Sequence, residues 1–189
     1  ISYYGDLPPP RIVSLIASAT EIVHALDLGE FQVGRSHECD HPPGVLRLPV
    51  VTKPCIDPGA DARSIDAQVK GQLAKAESVY DVHEDILALL RPTHILTQTQ
   101  CAVCAVSRDD VERAMARRFA GDPMVVSLEP NSLNDIWNDI RRVADACGVT
   151  REGDHLIYGL NQRMRGVARQ ARSAGRAPRV AIIEWPEPL

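Results

Sequence analysis

Short apolar runs alternate with amphipathic stretches along most of this chain, the pattern of a mainly parallel sheet with helices on its faces. Arg11 to Ile16 (RIVSLI) reads as a strand, and Ser18-Ala19-Thr20-Glu21 reads as a capping box that opens a helix. Ile22, Val23, Ala25 and Leu26 form that helix's buried side, with Gly29 placed as its C-terminal cap. Phe31 to Arg35 is a second strand, followed by the polar loop SHECDHPPG, in which Pro42, Pro43 and Gly44 leave no room for a regular element. Val50 to Asp61 reads as loop, then a weak helix near Ser64 to Leu73 and a short strand near Val79 to Val82. Asp81 to Glu84 is a second capping box, opening a helix to Leu90 that Arg91-Pro92 stops before the strand Thr93 to Thr97. After the loop QTQCAVCAV come a helix from Ser107 to Phe119, a strand from Met124 to Ser127, and a helix capped by Ser132 that ends at Cys147-Gly148.

The pattern then changes. From Thr150 to about Ala174 the residues Leu156, Leu160, Met164, Val167, Ala171 and Ala174 recur every three or four positions. That spacing predicts one long helix with a single apolar stripe, about 37 Å in length. Gly175 ends it, and Arg179 to Trp185 (RVAIIEW) reads as a new buried strand. A lone strand is no domain. The fold class expected is therefore α/β: a Rossmann-like parallel sheet lobe over residues 10–149, a long connecting helix over 150–175, and over 178–189 the first strand of a second α/β lobe largely absent from the chain. Unpaired, the strand 179–185 offers an edge for self-association.

Composition narrows the function. With 189 residues, 44% of them hydrophobic and 24% charged, the chain can build a packed core. A net charge of -4 with scattered Lys and Arg gives no basic surface for nucleic acid. No apolar run approaches the roughly 18 residues of a membrane span, and the opening ISYYGDLPPP carries neither the basic nor the apolar region of an export signal. Five cysteines, an odd number at irregular spacing, do not make a closed disulfide framework. No Gly-rich phosphate loop, Ser-His-Asp arrangement or paired carboxylate motif is present, so binding is preferred over catalysis.

In open parallel sheets, ligands sit beyond the carboxyl ends of the strands. Three loops fall there: Ala17 to Glu21, Ser36 to His41, and Gln98 to Ser107, which includes Gln100. Ser18 and Glu21 are explained by helix capping, which leaves Thr20 freer for a ligand, and the amides of that helix start suit an anionic or carbonyl group. Cys101-x-x-Cys104 is a chelating pair by spacing, and His37 and Cys39 follow a different strand of the same sheet. One imidazole and three thiolates could surround a tetrahedral zinc or iron ion. The same atoms could give an axial ligand to a bound metallocycle, Cys101 and Cys104 could cycle as the disulfide of a dithiol oxidoreductase, or any of the thiols could simply pack in the core. His24, His94 and Cys147 read as structural, and Cys55 has no partner visible in the sequence. Glu129 stands at a strand's carboxyl end, as Glu184 and Trp185 do at the last strand.

RIVSLIASATEIVHALDLGE, GRSHECDHP, RPTHILTQTQCAVCAVS and RVAIIEWPEPL together resemble the vitamin B12-binding-like branch of the ABC transporter substrate-binding proteins for cobalamin and iron chelates. That class has two lobes joined by one rigid helix. The resemblance spans nearly all of the chain. It implies a receptor, not an enzyme, that captures a corrinoid or iron chelate between its lobes outside the cytoplasm and presents it to a membrane permease. No cofactor is required beyond the ligand's own cobalt or iron. Ser18, Thr20, Glu21, Ser36, His37, Tyr80, Gln100, Glu129 and Trp185 are the ligand-lining positions it suggests, with Trp185 facing the ligand from the second lobe. With only two Phe, two Trp and four Tyr, the chain is poorer in aromatics than the cleft of a corrin receptor calls for.

Overall fold

The structure, a computed structural model, describes residues 8–75, 79–99, 106, 111, 123–175 and 177–183. In chain order its elements are β1 (Ile12–Ser14), α1 (Ala17–Ala25), β2 (Gln32–Arg35), β3 (Thr52–Pro54), α2 (Ala62–Ala74), β4 (Tyr80–Val82), α3 (Glu84–Leu90), β5 (His94–Gln98), β6 (Met124–Leu128), α4 (Leu133–Ala146) and α5 (Thr150–Ser173). Except for Thr99 and the buried Val106 and Val111, the expected loop after β5 and the helix from Ser107 to Phe119 lie outside the described residues.

Strands β2, β1, β5 and β6 form a parallel sheet in that order, and β3 and β4 pair as an antiparallel ribbon beside it. Successive side chains of a strand face opposite ways, which splits the core in two. Ile12, Leu96 and Val126 face α1 and α4, where Ala19, Val23, Val143 and Ala144 complete one cluster. Val13 and Ile95 face the other way, with Val51, Val82, Leu87, Val106 and Val111. The expected α/β lobe with helices on both faces is the fold observed. Among the described residues no helix is long and apolar enough to cross a membrane.

Two glycines mark where elements approach most closely. A Cβ on Gly34 of β2 would lie 2.7 Å from Leu90 Cδ1, and one on Gly153 of α5 would lie 2.6 Å from Ala144 Cβ of α4. The second contact lets the α4–α5 pair close, with Ile157 buried one turn further on.

Several local expectations are corrected. Helix α1 opens at Ala17, with Ile16 in the cap position and no side-chain cap, because the strand runs straight into the helix. Ser18 thus lies inside the first turn instead of capping Glu21. The helix ends on Asp27, not Gly29: Asp27 takes a left-handed φ of 58°, while the Asp27 and Leu28 amides donate to the His24 and Val23 carbonyls at 3.1 and 3.0 Å. Pro43–Arg47, expected to be irregular, forms a 3₁₀ turn, and β3 lies in a segment expected to be loop. His83, not Asp81, precedes α3, because the Asp81 carboxylate accepts the neighbouring Val82 amide instead. Ser132 caps α4 as expected, its hydroxyl accepting the Asp135 amide, and α5 has the expected length with Gly175 left-handed beyond it. The described part of the last expected strand is neither paired nor buried: Val180, Ile182 and Ile183 are exposed.

Candidate functional site

Because β1, β2, β5 and β6 run parallel, their following loops all meet at one edge, and the β3–β4 ribbon adds Thr52 and Tyr80 beside the loop after β2. His37 is held there twice by Thr52, whose hydroxyl accepts the His37 amide at 3.0 Å and lies 2.8 Å from the ring Nδ1. The Tyr80 hydroxyl donates to Glu38 Oε1 at 3.0 Å, and the His37 and Tyr80 rings stand 5.2 Å apart with their planes tilted by 51°. Ser36 is buried, its hydroxyl accepting the Glu38 amide and its own amide bonded to the Ser14 carbonyl, which fixes the start of the loop. Leu15, Ser36, Thr52 and Val106 make the floor of the shallow depression that His37, Glu38 and Tyr80 surround. Burial lowers the His37 pKa, Glu38 pulls it partly back and Arg35 lowers it again, so the ring is neutral near pH 7. An imidazole, a phenol and a carboxylate thus share one small surface, and the carboxylate accepts a hydrogen bond from the phenol, which raises the electron density on the phenol oxygen.

Two predicted site residues point elsewhere. Thr20 and Cys39 are fully buried; the Thr20 hydroxyl donates to Cys39 Sγ at 3.1 Å and accepts from Gln32 Nε2 at 3.3 Å. With α1 starting at Ala17, Thr20 faces the sheet and not the edge, so as a ligand contact it is corrected to a core residue. Arg35 Nη1 donates to the Ser36 and Cys39 carbonyls at 3.1 and 3.0 Å and shapes the same loop from beneath. Among the described residues no group of three His, Cys, Asp or Glu is placed to hold a metal ion. Gln100, Cys101, Cys104, Glu184 and Trp185 lie outside the described residues. Cys147 is packed at the end of α4, where burial pushes its thiol up to about 11. His94 and His24 are structural: His94 Nε2 meets the Ala146 carbonyl at 2.9 Å, and the His24 ring lies against Gly29.

Ser18 and Glu21 are exposed on the other flank of α1, at the rim of an apolar groove of about 360 Å³. Ile22, Leu128, Ile136, Ile140, Leu156 and Leu160 line it, with one carboxylate, Asp139, buried among them. Asp139 accepts the Glu129 amide on both oxygens, at 3.3 and 3.2 Å, and Arg142 Nη1 at 2.8 Å. Burial raises its pKa, outweighing the Glu129 amide and Arg142. Glu129 itself is exposed and accepts from the Thr99 hydroxyl at 3.2 Å, which in turn accepts from Ser127. Thr52, Glu38 and Asp139 were missed from sequence. Asp139 did leave a signal, since it lies four residues before Val143 and next to Ile140, both on the buried stripe of α4.

No family model and no curated protein matches the sequence. Solved structures do resemble the fold. The periplasmic heme-binding protein RhuT from Roseiflexus sp. RS-1, in apo form, superposes with a TM-score of 0.62 at 23% identity, over 90% of this chain and 53% of that one. A periplasmic heme binding protein from Pseudomonas aeruginosa gives a TM-score of 0.62 at 19% identity, over 90% of this chain and 51% of that one. The periplasmic vitamin B12 binding protein BtuF of Vibrio cholerae gives 0.53 at 22% identity, over 88% and 52%. The chain spans about half the length of these proteins, and its fold is that of one lobe of a periplasmic binding protein of this kind.

Proposed function

We propose that this chain is the ligand-binding lobe over residues 10–149, with its connecting helix over 150–175, of an extracytoplasmic binding component that delivers a metal chelate to an ABC-type membrane permease. The observation that carries this reading is the His37–Glu38–Tyr80 group at the carboxyl edge of the sheet. Imidazole and phenol are both axial donors to haem iron, and a phenol oxygen hydrogen-bonded to a carboxylate is a hard donor that suits ferric iron. The ligand class favoured is therefore a ferric chelate of the haem type, with a corrinoid second. The fold shared with heme- and vitamin B12-binding proteins supports the same class. Such a task needs no bond-making group; the lobe positions donors and lets the ligand's own metal complete the contact. Gln100, Cys101 and Cys104, in the loop after β5, are further candidates for the same edge.

The test is an absorption titration of the chain with hemin, ferric citrate and cobinamide. Binding of hemin with a shifted Soret band, weakened at least tenfold by Tyr80→Phe and by His37→Ala, is the expected result. No spectral change with any of the three at millimolar concentration, or undiminished binding by the double variant, overturns the proposal.

A further inference from the structure

Thr52 stands where the β3–β4 ribbon meets the loop after β2, and it is only 2% exposed. Its hydroxyl faces two nitrogens of one residue, the His37 amide at 3.0 Å and the His37 ring Nδ1 at 2.8 Å, and among the described residues it has no third partner. A backbone amide can only donate, so the hydroxyl oxygen accepts there. One hydroxyl proton is left to place in a buried position. If Nδ1 carried the ring proton, both nitrogens would donate to the same oxygen, and the hydroxyl proton would be buried with no acceptor. If instead the hydroxyl donates to Nδ1, every group is satisfied and the ring proton lies on Nε2. The far side of the ring gives the same answer independently. Nε2 stands 4.0 Å from Glu38 Oε1, where an N–H is attracted to the carboxylate and a lone pair is repelled.

We infer that Thr52 is a positioning residue that locks His37 with its proton on Nε2, so that His37 braces Glu38 instead of giving a nitrogen to the metal of the ligand. The donors then run in one order: Thr52 to His37, His37 toward Glu38, and Tyr80 to Glu38 at 3.0 Å. Glu38 gathers an N–H and an O–H, and the atoms this group offers a metal are the oxygens of Tyr80 and Glu38. A β-branched side chain on a paired strand is stiff enough to hold such a lock. The inference rests on the proposed binding of a ferric chelate and narrows it, since the metal is met through oxygen, as a tyrosine meets haem iron, and not through imidazole.

Long-range proton–nitrogen correlation spectra of the isotope-labelled chain at about pH 8, where an unpaired imidazole is neutral, test the lock, with His37 assigned by its loss in His37→Ala. A single tautomer is expected, Nε2 protonated and Nδ1 bare. Thr52→Val should release it, moving both ring nitrogens toward the averaged shifts of a free imidazole, and Thr52→Ser should restore the parent spectrum. Hemin affinity should fall at least threefold in Thr52→Val and recover in Thr52→Ser, with circular dichroism unchanged in both. Resonance Raman spectra of the parent's hemin complex should contain no iron–imidazole band, recognised by its shift when histidine nitrogen is isotopically labelled. A ring proton on Nδ1, a tautomer indifferent to Thr52→Val, or an iron–imidazole band overturns the inference. Absence of any hemin binding overturns the proposed ligand class instead, and the tautomer still decides the role of Thr52.

Discussion

On one flank of α1 the loop after β2 and the start of β4 bring together an imidazole, a carboxylate and a phenol; on the other, α1, α4 and α5 gather leucine and isoleucine around a single buried carboxylate. The polar flank is held by a few bonds in which at least one partner, His37, Glu38 or Tyr80, is half-buried or exposed, each worth little to stability. The apolar flank depends on close backbone approach and desolvated packing, where one misplaced methyl is felt. Stability and the proposed recognition thus fall on different sides of the same helix.

Gly153→Val should give the largest effect, since its first added carbon already collides with Ala144. A loss of about 2 kcal/mol or more is expected, read in urea unfolding; a neutral result would show that α4 and α5 are not tightly seated. Asp139→Ala comes next. It strands the Glu129 amide, while Arg142 keeps its bond to the Ser127 carbonyl, and should cost about 1–2 kcal/mol, the gain from removing a buried charge offsetting part of the loss. If Asp139→Ala were stabilising, the carboxylate would be a burden on the groove and not its anchor.

Acid should weaken the fold through both flanks. His24, His37 and His94 are held below their usual 6.5 by burial, so below that pH the unfolded chain binds more protons than the folded one. Stability is then full above about pH 6.5 and falls as the pH drops through the lowered values. Asp139 acts in the opposite sense: its raised pKa gives stability that is fully present only below the usual 3.8 and fades as the pH rises through the raised value. Thermal melts of the parent and His94→Gln from pH 7 to 5 should show a shallower decline in the variant; equal slopes would mean His94 titrates alike in both states. Tyr80→Phe should be the mildest, within about 0.5 kcal/mol of the parent because the Tyr80–Glu38 bond is exposed. A cost above about 1 kcal/mol would make the polar flank a structural element and blur the contrast.

Much of the lobe was legible because its signals are local. The alternation gave the sheet and its helices, the apolar stripe gave the length of α5, and Ser132 and Gly148 bounded α4. The errors came where tertiary context outweighed a local motif. The SATE box lost its cap because β1 leads straight into α1, and β3, three residues ending in proline, is a strand only because β4 pairs with it. His37 and Tyr80 were each nominated from sequence, but their pairing depends on that ribbon, which joins segments 43 residues apart. The groove was invisible for the same reason, being built from α1, α4 and α5 together.

Helix α5 is also a lever. It is clamped near its first turns, where Gly153 meets Ala144, and its free end lies roughly 30 Å away at 1.5 Å per residue. A tilt of about 5° at the clamp sweeps that end through roughly 2.5 Å. Whatever is joined beyond Ser173 therefore has its position set by how the first turns of α5 seat on the lobe at Gly153, Leu156 and Ile157, and side chains that loosen or wedge that seat move the far end of the rod more than they move the lobe that holds it.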